Sequence, residues 1–500
     1  MQLSLNCLTD HLMRVGVIPP ERKSHPMPQR PNILILLLDT ARAQNLSCYG
    51  YDRSTSPYID ALAEESVLYE QAIATGCWSL PSQLSLLTGL FPSKHGAHER
   101  HLSYAHEYPT LPEILHQAGY TTLGVSPNSW MSDEFGATYG FDRYLKLWQY
   151  LPNLPATAEA RANSLVGLAH RLNRLYSRYM FPRRNRARHI NQHVINLLAH
   201  APEPFFLYAI FWDMHLPFYP EGAHATRWLP PGVDAAQAQQ VNRNALTFNT
   251  GQAEMSEADF EILRACYDGA LATIDEKIGV LVEMLRQRGL LENTILILTS
   301  DHGENIGDHG LMSHAYSLHD TLIRVPLIVR YPDCFAKGQR VQHQVQLTDV
   351  APTLLDILQL DRPDVRDELQ GISLLDTPSL MNERPAYAEM AAPHPSIPAL
   401  NRRAGLPENT PQPDLDRTLR CLRTLEHKFI WASDGQHALY DLRRDPQEST
   451  NRYAEEPKLA ATLEKALIAW QSPTSVPQSL PQPKMPPDVQ QRLRALGYID

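Results

Sequence analysis

The sequence predicts an α/β fold, a doubly wound and mostly parallel sheet carrying a smaller C-terminal α+β subdomain. Three observations carry that expectation. The runs PNILILLL at 31–38, PFFLYAIF at 204–211 and TILILT at 294–299 hold no charged residue. Strands with apolar side chains on both sides are buried on both faces, as in a parallel sheet covered by helices. Helical patterns separate these runs, and beyond about residue 380 the texture changes to short alternating segments broken by turn residues.

Taken in order, residues 1–30 are a polar, proline-containing N-terminal tail, and the first strand begins after Pro31. SPYIDALAEESVLYEQAIA at 56–74 reads as a helix opening at Ser56-Pro57. SLPSQLSLLTGLFPS starts as a loop, enters a helix and stops at Gly89 and Pro92. YPTLPEILHQAGYTTLGVSPN is a helix, a glycine stop and a strand. A helical excursion covers 159–200, the strand at 205–212 follows, and 256–290 is a long helix. TILILTSDHGE is a strand running into a polar loop, VPLIVRYP another strand, and TDVAPTLLDILQL a helix. A large α/β domain is thus expected over 31–380 and the C-terminal subdomain over 381–500. In that subdomain NERPAYAEM, TLRCLRTLEHKFIWAS and HALYDL read as short antiparallel strands, KLAATLEKALIAWQ as a helix and SPTSVPQSLPQPKMPP as a proline-rich connector.

Composition narrows the function. With 500 residues, 43% hydrophobic and 20% charged, the chain buries a sizeable core and is not disordered. A net charge of −10 argues against nucleic acid or an anionic membrane as partner. The six cysteines show no CxxC spacing. The N-terminus lacks a signal-peptide pattern, and the longest apolar run, ILILLL, is too short to span a bilayer, so a cytoplasmic address is expected. One basic segment stands out, with seven arginines over 171–189. It reads as a solvated helix and turn, or else as a steering patch for an anionic substrate or a contact in a homo-oligomer.

Ligands of open α/β sheets bind at the carboxyl ends of the strands. The first strand ends in Asp39-Thr40, the one at 205–212 delivers Asp213 and His215, and the one at 294–299 delivers Asp301-His302. A single aspartate at a strand end commonly caps a helix or turn. Three such strand ends together make a mixed oxygen and nitrogen set suited to one divalent cation, Ca, Mg, Mn or Zn. A second Asp-His-Gly triplet at 308–310 has no strand directly before it, so the first pair is preferred.

PNILILLLDTARAQNLSCYGY, SLPSQLSLLTGLFPSKHG, TILILTSDHGENIGDHGLMSH before RVPLIVRYP, the TDVAPTLLDILQL helix and the closing LYDLRRDPQEST and LGYI resemble, in order, the sulfatases of the alkaline phosphatase superfamily. The resemblance implies an alkaline-phosphatase-like sheet and a metal-dependent hydrolase of small anionic esters. Its nucleophile motif, (Cys or Ser)-x-Pro-Ser-Arg followed by Thr-Gly, falls on Ser79-Leu80-Pro81-Ser82-Gln83 with Thr88-Gly89 behind it. Ser79 is then the nucleophile and also a metal ligand, with Asp39, Asp301 and His302. Cys77 is a decoy, because no proline stands two residues beyond it. As a residue in its own right, Ser79 also reads as a helix N-cap. The resemblance places His215 at the leaving-group oxygen and His314 on the anion, both catalytic. Asn128, Arg42 and Gln83 join them as substrate-binding residues, Arg42 reading equally as one half of a surface salt bridge.

Two departures bear on the chemistry. Sulfatases convert the nucleophile to formylglycine by enzymes that lean on the arginine replaced here by Gln83, and they carry Asp-Asp where this chain has Asp39-Thr40. The leading expectation is a sulfate ester hydrolase acting through residue 79. The alternatives are a phosphate or phosphonate ester hydrolase using an unmodified serine, and an anion-binding relative without catalysis.

Overall fold

The computed structural model describes residues 30–148, 187–376, 384–394, 397–403, 407–412 and 415–470, with a few more between 485 and 493. The N-terminal tail, the arginine-rich stretch up to 186, most of the proline-rich connector and the closing LGYI lie outside the described residues.

At the middle of a nine-stranded sheet runs β1 (Asn32–Leu38). It is paired in parallel with β5 (Phe205–Phe211) on one side and β6 (Thr294–Thr299) on the other. Beyond β5 lie β3 (Thr121–Ser126) and the edge strand β4 (Arg143–Lys146), both parallel. Beyond β6 the direction changes. Strand β10 (Leu327–Arg330) is antiparallel to β6 and to β2 (Val67–Ile73), and β11 (Gln339–Gln346) closes the edge parallel to β2. Two short strands after β6, β7 (Asn305–Ile306) and β8 (Met312–Ser313), form a separate antiparallel pair, and another two-residue strand, β9 (Arg324–Val325), also pairs with β2.

Residue alternation along β1 shows why its sequence is apolar throughout. Ile33, Ile35 and Leu37 enter one core with helices Ser79–Thr88, Leu111–Gln117 and Val350–Ile357. Leu34, Leu36 and Leu38 enter the opposite core with helices Pro57–Glu64, Ala187–Leu198 and Glu257–Gln287. Each face of the strand is covered, so neither tolerates a polar residue.

The single helix expected over 56–74 is two elements. The helix stops at Glu64 with Glu65 as its C-cap, and Val67–Ile73 is β2. Val67, Leu68 and Tyr69 have as much strand as helix preference, and pairing with both β10 and β11 decides between them. Strand β11, rich in glutamine, carries no apolar pattern in its sequence and is likewise decided by its pairing with β2.

The C-terminal residues build an antiparallel sheet of β12 (Ala386–Met390), β13 (Leu419–Arg423), β14 (His427–Ala432) and β15 (Ala438–Asp441). Ala388, Met390, Cys421 and Ile430 join the main core. The other face, with Leu422, Phe429 and Leu439, packs on helix Pro457–Trp470. A buried ion network also ties this sheet to the main body. Lys428, with no exposed surface, lies 2.9 Å from Asp320 and 2.8 Å from Glu448, and Arg423 is 2.8 Å from Asp320. Such groups persist in a low-dielectric interior only because each charge has its opposite. No described helix is long and apolar enough to cross a membrane.

Candidate active site

Strand β1 delivers Asp39, whose N–H continues the ladder to Phe211 O at 2.9 Å. The chain then turns sharply through Thr40 at φ +64°, a strained conformation for a β-branched residue. Tyr267 of the long helix holds the turn, donating its hydroxyl to Thr40 O at 2.7 Å and accepting from Arg42 N at 2.9 Å. Thr40 therefore shapes the backbone that presents Asp39.

Ser79 is the first residue of helix Ser79–Thr88, and extended Trp78 precedes it as N-cap. Ser79 is thus inside the helix and does not cap it, contrary to the plainer reading of that serine. Its Oγ accepts from Asn128 Nδ2 at 2.9 Å, and the same amide nitrogen lies 2.9 Å from Asp39 Oδ2. Asn128, at the end of β3, thereby aligns the hydroxyl with the first carboxylate.

Strand β6 delivers Asp301 and His302, both fully buried. Asp301 is held on every side: Gln83 Nε2 donates to Oδ2 at 2.6 Å, His302 N to Oδ1 at 3.0 Å, and Ser82 Oγ to the carbonyl at 2.6 Å. His302 Nδ1 lies 2.9 Å from Gly303 O, so Nδ1 carries the proton and Nε2 presents a lone pair. That Nε2 is 3.3 Å from Ser79 Oγ, 3.5 Å from Asp301 Oδ2 and 4.0 Å from Asp39 Oδ1.

Asp39, Asp301 and His302 offer ligand atoms all within 4.8 Å of one another. Asp39 Oδ1 is buried with no hydrogen-bond partner among the described residues. Burial, and then the charge of Asp301, push the Asp39 carboxyl well above the usual range, while burial lowers His302 to about 4. An orphaned carboxylate oxygen, a second carboxylate and an imidazole lone pair fit one divalent cation, which would satisfy all three.

The other expected residues are placed as follows. His314 Nδ1 lies 3.1 Å from Glu304 Oε1, and the His314 ring stands 4.4 Å from that of His302 and 5.0 Å from that of His215. His215 Nδ1 faces Leu216 O at 2.7 Å, and its ring meets Trp212 edge-on. Two residues expected to face the substrate are engaged elsewhere. Arg42 forms a bidentate pair with part-buried Asp308 at 2.9 and 3.0 Å, which gives its buried guanidinium a counter-charge. Gln83 spans Tyr208, whose hydroxyl donates to Oε1 at 2.8 Å, and Asp301. The second Asp-His-Gly triplet thus serves Arg42, and His309 stacks on His319 at 3.6 Å. Asp213 accepts from Ala187 N at 2.6 Å, at the start of a helix. Two further residues support the site, Glu304 beside His314 and Tyr208 beside Gln83. Glu304 directly follows the Asp-His-Gly triplet, a signal that was present, whereas Tyr208 looks like any other core residue of an apolar strand.

The family model for Sulfatase matches residues 31–360. The chain belongs to the sulfatase family. It is 26% identical over 490 residues to the N-acetylglucosamine-6-O-sulfatase of Bacteroides thetaiotaomicron, covering 85% of this chain and 82% of that one. It is 23% identical over 460 residues to the choline-sulfatase of Rhizobium meliloti, covering 86% and 83%. Among solved structures it resembles the phosphonate monoester hydrolase of Agrobacterium radiobacter, with a TM-score of 0.64 and 22% identity over 88% of this sulfatase-family chain and 95% of the other. The α/β sheet with its C-terminal antiparallel sheet is that of this family's fold.

Proposed function

We propose that this sulfatase-family chain hydrolyses sulfate esters through covalent attack by residue 79. One observation carries the reading: Ser79 Oγ converges with Asp39, Asn128 and His302 at the ends of separate strands, within 2.9 to 3.3 Å of Asn128 and His302. Asn128 donates to Oγ and orients it. Asp39, Asp301, His302 and Ser79 would hold the cation, Ca, Mn, Mg or Zn. When bound, it supplies positive charge that lowers the proton affinity of the hydroxyl and neutralises the ester's oxygens. His215 gives a proton to the departing oxygen as the S–O bond breaks, and His314 contacts the anion, oriented by Glu304. The Ser79 hydroxyl proton passes to solvent as the Oγ–S bond forms; attack of water at sulfur then breaks that bond, returns a proton to Oγ and releases sulfate.

A second reading, an ester of phosphate or phosphonate attacked by an unmodified serine, is favoured by Gln83. It stands where the family's formylglycine motif has arginine. Five cysteines are free among the described residues, which supports the cytoplasmic address.

Intact mass of a peptide spanning residue 79, with turnover of p-nitrophenyl sulfate, phosphate and phenylphosphonate, tests these readings. Formylglycine lowers the mass by about two hydrogens relative to serine. Turnover of the sulfate ester supports the leading reading. Turnover of the phosphorus esters alone, with serine intact, replaces it with the second.

A further inference from the structure

His314 stands between two residues in the left-handed region, Ser313 at φ +71° and Ala315 at φ +75°. Neither is glycine, so the backbone on both sides of this histidine persists only where surrounding bonds over-determine it. After His314, Ala315 N donates to Cys77 O at 3.0 Å, two residues before Ser79. Before it, the support comes from outside the strand ends that build the site. Asn249 Nδ2 donates to Met312 O at 2.9 Å, and Met312 N donates to Asn249 Oδ1 at 2.9 Å.

This pair of bonds is a β-ladder rung made by a side chain. In the β7–β8 hairpin Ile306 faces Met312, and the adjacent cross-strand bond runs from Gly307 N to Leu311 O. Hydrogen-bonded and non-bonded pairs alternate along an antiparallel ladder, so both backbone groups of Met312 point to the outer edge of β8. A carboxamide carries the same donor and acceptor as a peptide unit, and Asn249 supplies them in place of a third strand. Asn249 ends helix Ala245–Asn249, and its neighbour Phe248 meets Phe260 of the long helix edge-on at 5.1 Å. The Phe260 ring also underlies Gly307, where a Cβ would meet it at 2.9 Å, so helix and hairpin rest on one floor.

We propose that Asn249 is a positioning residue for the hydrolysis, setting His314 through the backbone of β8. The inference rests on the proposed ester hydrolysis, in which His314 contacts the anion. The His314 ring lies 4.4 Å from that of His302 and 5.0 Å from that of His215. Glu304, 3.1 Å from Nδ1, orients the ring about its own bonds. Asn249 and the Cys77 carbonyl instead fix the backbone from which that ring projects. Without Asn249, buried Met312 loses the partners of both its backbone groups, and Ser313 is released to relax toward negative φ. His314 then shifts as a unit, and a misplacement of about 1 Å in a group aligned for reaction costs on the order of 10²-fold.

The test measures kcat, KM and the inhibition constant of inorganic sulfate on p-nitrophenyl sulfate, with p-nitrophenyl phosphate and inorganic phosphate in parallel. The proteins are wild type, Asn249→Ala, Asn249→Asp, His314→Ala, and Asn249→Ala combined with His314→Ala. Asn249→Ala should lower kcat/KM about 10- to 100-fold and raise the anion's inhibition constant about 3- to 10-fold. It should keep a cooperative melting transition and wild-type affinity for divalent cations. Asn249→Asp keeps the bulk but sets an oxygen against Met312 O, so it should do at least as much harm. In the His314→Ala background, Asn249→Ala should change either constant less than about 2-fold, because residues acting through one group are non-additive. Unchanged kinetics in Asn249→Ala, a wild-type-like Asn249→Asp, or a full effect in the absence of His314 overturns the role. Loss of folding or of cation binding in both variants assigns Asn249 to the framework and overturns it too. Turnover of the phosphate ester alone replaces the sulfate reading, and the same comparison with inorganic phosphate then decides Asn249. A wild type that turns over neither ester overturns both.

Discussion

Gln83 donates its amide N–H to Asp301 Oδ2 at 2.6 Å while accepting from Tyr208, so a neutral side chain aims this carboxylate from the opposite side of the sheet end. With His302 N–H on the other oxygen, Asp301 has no rotational freedom. Outer partners of this kind set ligand orientation and typically contribute 10- to 100-fold to metal affinity. Gln83→Leu is therefore expected to weaken divalent-cation binding by about that factor, and Asp301→Ala to abolish it. Titration calorimetry with each cation checks this, and unchanged affinity in Gln83→Leu would remove Gln83 from the role.

Ser79→Ala should abolish turnover while retaining the fold and most metal affinity, since two carboxylates and His302 remain. Cys77 is buried in the core with its carbonyl bonded to Ala315 N. Cys77→Ala should cost about 1 kcal/mol of stability and little activity. Steady-state kinetics beside urea denaturation separates the two, and the reverse pattern would move the nucleophile.

His215→Ala should lose far more activity on alkyl esters than on p-nitrophenyl esters. A poor leaving group needs the proton, and a general acid contributes about 10²- to 10⁴-fold. An equal loss on both esters would assign His215 to holding the anion and make His314 the proton donor.

The Arg42–Asp308 pair makes a different forecast from a substrate contact. Although burial works to raise it, the charge of Arg42 holds the Asp308 carboxyl below its ordinary range. Stability from this pair is present above that range and lost as pH falls through it. Asp308→Asn should lower unfolding free energy by about 1–3 kcal/mol at pH 7 with KM nearly unchanged. A large KM effect without destabilisation would return Arg42 to the substrate.

Asp275 accepts from Tyr58 N and Ile59 N at the start of helix Pro57–Glu64, and burial raises it to about 7. Its folded form holds a proton that the unfolded form has released above about pH 4. Its contribution to stability is greatest below that pH and declines as pH rises to 7. Asp275→Asn should remove the decline, gaining about 2–4 kcal/mol on wild type between pH 4 and 7.5. Urea midpoints measured across that range decide, and parallel curves would contradict it.

The strands that carry the site were legible because burial on both faces writes itself into consecutive residues, as in Asn32–Leu38 and Thr294–Thr299, and a residue just past such a strand has its place set by the sheet. Asp39, Asp301 and His302 could thus be named from local pattern, and Ser79 from a motif a few residues long. Strand β2 could not, because its preference for strand over helix comes from partners nearly the length of the domain away. The same holds for the partners of each side chain. Gln83 meets Asp301 across 218 residues and Arg42 meets Asp308 across 266. Residue type announces only that Arg42 and Gln83 carry donors. Which acceptor each takes follows from burial, where a donor must bond whatever the folded chain brings within reach, and that is settled by the packing of the sheet and its helices alone.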